Sequence, residues 1–99
     1  MTSNPIPDYV RDHFAAHPGR CRPMIRMADG HTLSVQASAG HYCTPKVDNS
    51  EAYTSVEVFG WSTARTPSTF AQYTRSQHEP AAFVPIDKVN RFIHRHGGL

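Results

Sequence analysis

At 99 residues, with 38% hydrophobic residues and a mean hydropathy of −0.51, the chain has the size of one domain with one modest core. A formal charge of +2 and a pI near 8.7 are too mildly basic to argue a nucleic-acid partner by themselves, and no apolar run approaches the roughly 20 residues of a membrane span or the core of a signal peptide. Two cysteines without such a signal point to free thiols in a reducing compartment, with a Cys21–Cys43 bridge as the minor alternative, and seven histidines can add several charges as pH falls toward 6.

Residues 1–7 read as a frayed end. Asp8 is placed to cap a short helix through His17, with Tyr9, Val10 and Phe14 on its inner face, before Pro18-Gly19 stops it. A helix that short depends on packing rather than propensity. Met24 and Met27 leave open the reading of residues 1–23 as an extension on an older core. Arg20, Arg22 and Arg26 then alternate along an extended segment and are expected to face one way.

Met24–Met27 is a short apolar run, and Leu33, Val35 and Ala37 alternate with Thr32, Ser34, Gln36 and Ser38 in the period of a strand with one buried face. Asp29-Gly30 between them is a hairpin signal, because glycine takes positive φ without a steric penalty. A two-residue loop would put Ile25 opposite Ser34 and set the faces in conflict. A three-residue loop, Ala28-Asp29-Gly30, sets Ile25 against Leu33 and Met27 against His31. Register follows the apolar pattern, so the three-residue loop is expected, with Gly30 left-handed.

The long connection 39–52 is of a length often tied to function. Its first half is expected to continue the strand as far as Cys43, with Pro45 ending it. Tyr53–Trp61 reads as the third strand, with Thr54, Val56 and Val58 on one side and Tyr53, Ser55, Glu57, Phe59 and Trp61 on the other. Both sides carry apolar groups, so a helix is expected over part of the outer one. Residues 62–80 form a polar connector, read either as one or two helical turns after Thr66-Pro67 carrying Phe70 and Tyr73, or as a mobile flap. Phe83-Val84 suits a short strand. Pro85-Ile86-Asp87 opens a helix whose apolar face is Ile86, Val89, Phe92 and Ile93, and Gly97-Gly98 ends it. The fold class is therefore a single α+β domain: a small antiparallel sheet of three to four strands, a C-terminal helix on one face and a short N-terminal helix.

Several side chains offer chemistry. His41 and Cys43, two apart on a strand, would point the same way; with Cys21, His13 and His17 they allow a His2Cys2 zinc set, but without a Cys-x-x-Cys pair and from three separate elements. As nucleophile and base the pair lacks an adjoining carboxylate to orient it. No metal, cofactor or catalytic residue is assigned on these grounds, and a non-enzymatic protein is expected. Lys88, Arg91 and Arg95 share a helix face beside His94, which suits an acidic partner or phosphates as well as ordinary cations at a helix end. Tyr42, Tyr53, Phe59 and Trp61 are candidate hot-spot aromatics.

The run Ala28–Ser38, then His41–Pro45, Tyr53 and Val56-Glu57-Val58, with Val84-Pro85-Ile86, Val89 and His96-Gly97-Gly98 at the end, resembles a family of small uncharacterised proteins encoded by phages and prophages. The likeness covers about residues 24–61 and 83–98. It implies a protein of the bacterial cytoplasm that binds and blocks a host protein, with inhibition of CRISPR–Cas defence as the leading case and steric occlusion as the mechanism. The partner surface is then expected at His41, Tyr42, Tyr53, Phe59 and Trp61, with Arg91 and Arg95. The alternatives are a nucleic-acid-associated phage protein using Arg20, Arg22, Arg26 and Lys88 with the helix stripe, and a small zinc-stabilised interaction domain.

Overall fold

The computed structural model describes residues 5–60 and 65–99, so Trp61 and the start of the connector lie outside the described residues. In chain order the elements are α1 (Tyr9–Ala16), β1 (Ile25–Arg26), β2 (Thr32–Gln36), β3 (Ser55–Phe59), a 3-10 helix (Ser68–Tyr73), β4 (Ala81–Pro85) and α2 (Ile86–Arg95). The strands form one antiparallel sheet in the order β1-β2-β3-β4. This is the α+β architecture expected, its four strands at the upper end of the three to four.

The β1–β2 hairpin has the register that the apolar pattern requires. Ile25 pairs with Leu33, the Met27 N–H donates to the His31 carbonyl at 2.8 Å, and Gly30 closes the loop at φ +95°. Leu33, Val35 and Ala37 are fully buried, and Thr32, Ser34 and Gln36 are half-buried. Burying Leu33 or Val35 contributes about 1.5–3 kcal/mol each, so a one-residue slip of this strand would forfeit both at once.

α2 lays Val89, Phe92 and Ile93 into the same core as Val35, Val56 and Val58. Its last turn closes on Gly97 and Gly98, both at positive φ. The Gly98 N–H donates to the Ile93 carbonyl at 3.0 Å and the Gly97 N–H to that of His94 at 3.1 Å, the pairing of a Schellman motif. α1 begins at Asp8, whose carboxylate accepts from the Arg11 N–H. Buried Asn90 of α2 reaches it, accepting from the Val10 N–H and donating to Asp8, both at 3.0 Å. With Val10 and Phe14 in the core, α1 is built into the domain rather than appended to it. The connector supplies the 3-10 helix, which buries Phe70 completely with its ring 5.1 Å from that of Phe92. The described part of the 62–80 segment thus carries a 3-10 helix at Ser68–Tyr73 that ties it to the core.

Three expectations about the centre of the chain need correction. Strand β2 stops at Gln36 and does not run on to Cys43. The buried Ser38 hydroxyl accepts from the Gly40 N–H at 3.0 Å, and the Ser38 carbonyl accepts from the His41 N–H; local bonds of this kind turn a chain away from its ladder. β3 spans only Ser55–Phe59, and its faces differ from simple alternation, since Thr54 is exposed while Ser55 is buried beside Val56. The side of β3 that carries Glu57 meets the 38–46 loop, through Tyr42 and Thr44.

Candidate functional site

Two residues of β4 stand opposite one of β3. Between the pairs Val56–Val84 and Val58–Ala81, Ala82 and Phe83 face Glu57 alone, which is a β-bulge. Phe83 takes a positive φ there, +54°, where a bulky side chain is a backbone outlier costing about 1–3 kcal/mol. The loop meets the bulge through one backbone group and one side chain. The Phe83 N–H donates to the Tyr42 carbonyl and the Tyr42 N–H to the Glu57 carboxylate, both at 3.1 Å. Tyr42 is therefore clamped by the two residues that face each other across the bulge.

The result is a pair of exposed aromatics on a fixed frame. Tyr42 is 57% exposed and Phe83 47%, with ring centroids 5.9 Å apart at 50°. Lys46 holds its ammonium 5.1 Å from the Tyr42 ring, and Val47 beyond it is also exposed. The frame is anchored where Thr44 bridges to Ser55: the Thr44 N–H donates to the Ser55 carbonyl at 3.1 Å, and the two hydroxyls meet at 2.8 Å. Asp48 holds the far end, accepting from the Ala39 N–H at 3.0 Å and from Arg20 Nε at 2.9 Å. Those two donors depress its pKa, the backbone N–H most.

The other expected partner residues fall elsewhere. Tyr53 is half-buried, edge-on to Phe14 with centroids 5.7 Å apart, and its hydroxyl donates to the Val47 carbonyl. It packs against the core from outside. Phe59 is half-buried on β3, and Trp61 lies outside the described residues. His41 is half-buried with Nδ1 2.7 Å from the Ser38 hydroxyl. Arg91 and Arg95 line a groove of about 640 Å³ on α2, with Lys88, His94, Tyr73 and Asp87. Within it Arg91 pairs with Asp87, and Lys88 stands 5.1 Å from the Tyr73 ring.

The expected basic patch of Arg20, Arg22 and Arg26 does not form as one surface. Arg20 and Arg26 are exposed, but Arg22 is only 5% exposed. Its guanidinium lies 3.9 Å over the Phe14 ring and donates to the Ala37 carbonyl and to Asn49. Burial there withdraws it from any phosphate. The notional zinc set is also dispersed. Cys43 is buried with its thiol toward the Ser38 carbonyl at 3.2 Å, and burial pushes its pKa up. His41 bonds to the hydroxyl of that same serine, so the two share Ser38 rather than facing each other. Cys21 is exposed, and both cysteines are free.

A cluster not singled out in the sequence appears at the opposite end of the sheet. Asp29 of the hairpin loop receives His31 and His96 on its two carboxylate oxygens, and these are the residues that cluster metal-ligand atoms among the described residues. Asp29 and His31, separated by Gly30, were visible as a turn signal only. Their meeting with residue 96 is a tertiary event that no local pattern encodes. No protein-family model, curated protein or solved structure matches the chain, so the functional reading rests on its own geometry. None of the described helices is long and apolar enough to cross a membrane.

Proposed function

We propose that this chain is a non-enzymatic binding protein that docks a bacterial host protein through Tyr42 and Phe83 and acts by steric occlusion. The observation that carries the reading is the exposed Tyr42–Phe83 pair, mounted on a bulge whose central residue is held at positive φ although glycine would suit that backbone better. Aromatics in a rigid setting are efficient anchors, since little side-chain entropy is lost when they bind. Lys46 and Glu57 beside them suit a polar rim. The step from protein docking to host defence, with a CRISPR–Cas component as the leading target, comes from the phage-protein resemblance of residues 24–61 and 83–98. Catalysis by His41 and Cys43 is disfavoured, because a buried thiol with a raised pKa supplies little thiolate. The nucleic-acid alternative loses Arg22 to the core and has Arg20 and Arg91 already paired with carboxylates.

The test is capture by the tagged chain from a nuclease-treated lysate of cells with active CRISPR–Cas machinery, run beside Tyr42→Ala and Phe83→Gly. A discrete bacterial protein held by the parent and weakened at least about thirtyfold by either folded variant is expected, the effect of a hot-spot loss of about 2 kcal/mol. Capture that is abolished by nuclease, or unchanged in both folded variants, would overturn the reading.

A further inference from the structure

We propose that Asp29, His31 and His96 form a binding site for a borderline divalent transition-metal ion, with zinc as the leading case. The donor set is two imidazole nitrogens and one carboxylate, the chemistry such ions prefer over calcium or magnesium. His96 Nδ1 lies 2.5 Å from Asp29 Oδ2, and His31 Nδ1 lies 3.2 Å from Asp29 Oδ1. One ligand atom from each residue falls within 4.8 Å of the other two. In a tetrahedral zinc site with bonds of about 2.0–2.1 Å, such atoms stand roughly 3.3 Å apart, so the longest separation closes by about 1.5 Å. The exposed His31 ring, at 60%, is free to make that movement.

The backbone on both sides is already set. The Asp29 N–H donates to the His96 carbonyl at 3.1 Å and the Ala28 N–H to that of Gly98 at 2.8 Å, which locks the hairpin loop to the end of α2. The His31 N–H donates to Asp29 Oδ1 at 3.1 Å, fixing the carboxylate over its own turn. His96 is the cap residue of α2, and its ring packs 4.5 Å from that of Phe92. A metal ion at this point needs no folding of a new loop. It replaces the ring hydrogen between each Nδ1 and the carboxylate, with the imidazole protonated at Nε2 instead. Three protein ligands leave the outer coordination position to water or to a group from a partner. The ion would also bridge two segments 67 residues apart in sequence, so its binding should stabilise the native state alone.

The experiment uses the full chain, stripped with chelator and titrated with zinc chloride by calorimetry, with thermal melts at each zinc level. Competing donors elsewhere in the chain are the His13–His17 pair, with rings 4.8 Å apart, and the exposed thiol of Cys21. His31→Ala, His17→Ala and Cys21→Ser are therefore compared with the parent, and His96→Ala is added if it folds. One equivalent of zinc should bind and raise the Tm of the parent, of His17→Ala and of Cys21→Ser alike. His31→Ala, whose side chain is mostly in solvent, should fold normally yet bind at least about tenfold more weakly with the zinc-dependent Tm rise gone. Absence of saturable binding, binding that survives His31→Ala, or binding lost in His17→Ala or Cys21→Ser would overturn the proposal. None of these outcomes bears on the Tyr42–Phe83 surface.

Discussion

Two antiparallel pairings of this sheet each hold one residue at positive φ, and they fill that position in opposite ways. In the β1–β2 hairpin the residue is Gly30, at φ +95° with open space where a Cβ would stand. In the β3–β4 pair it is Phe83, at φ +54° with its ring half out in solvent beside Tyr42. Glycine makes the first bend at almost no steric cost. Phenylalanine makes the second at a cost, and its ring does not repay it by filling the core. The hairpin is thus arranged for stability, whereas the bulge keeps an aromatic side chain where a partner can reach it. Strain of this kind tends to collect where a molecule has a task beyond folding.

Substitutions at the two positions should have opposite signs. Gly30→Ala puts a side chain on a left-handed residue and should lower stability by about 1–2 kcal/mol, read as a lower urea midpoint with an unchanged slope. Phe83→Gly should raise stability by about 0.5–1 kcal/mol while partner capture is lost. A clear loss of stability in Phe83→Gly would mean that the Tyr42 ring contact outweighs the backbone strain.

Acid distinguishes the two regions through their carboxylates. Asp29 in the hairpin loop has its pKa lowered to about 2, chiefly by the His96 hydrogen bond. Asp48, at the end of the loop that carries Tyr42, is lowered by the Ala39 N–H and then by Arg20. Both are depressed below the unfolded value near 3.9, so their contribution is complete above about pH 5 and lost as pH falls toward 2. Both groups are at the surface, so the effect should be modest and should shrink in salt. Urea unfolding from pH 7 to pH 2 should show this decline, and Asp48→Asn should flatten part of it. A midpoint constant down to pH 2 would contradict the linkage.

The smallest effect expected is on thiol reactivity. Cys21 is exposed, while Cys43 is buried, with its thiol turned inward onto the Ser38 and Pro45 carbonyls of its own loop and its pKa raised by burial. Alkylation should modify Cys21 first and leave Cys43 until the loop opens, with Tyr42→Ala speeding the second step by weakening the aromatic contact. Equal rates at the two cysteines would mean that the 38–46 loop does not cover its thiol in solution.

Local pattern determined much of this protein. The alternation of Leu33, Val35 and Ala37, the Asp29-Gly30 turn, the Asp8 cap of α1, and the apolar stripe and glycine stop of α2 were all readable, because each depends on residues within a few positions of one another. The same information misplaced Arg22, whose alternation with Arg20 and Arg26 pointed outward, whereas Phe14 of the preceding helix offers it a ring to stack on. Ser38 turned the chain where a strand was expected to continue, separating His41 from Cys43. Only the tertiary structure set Phe83 against Tyr42 and brought His96 to Asp29. Contacts across 41 or 67 residues depend on how the sheet and the helix end come together, and backbone pairing and chain reversal carry that information rather than any spacing of residue types.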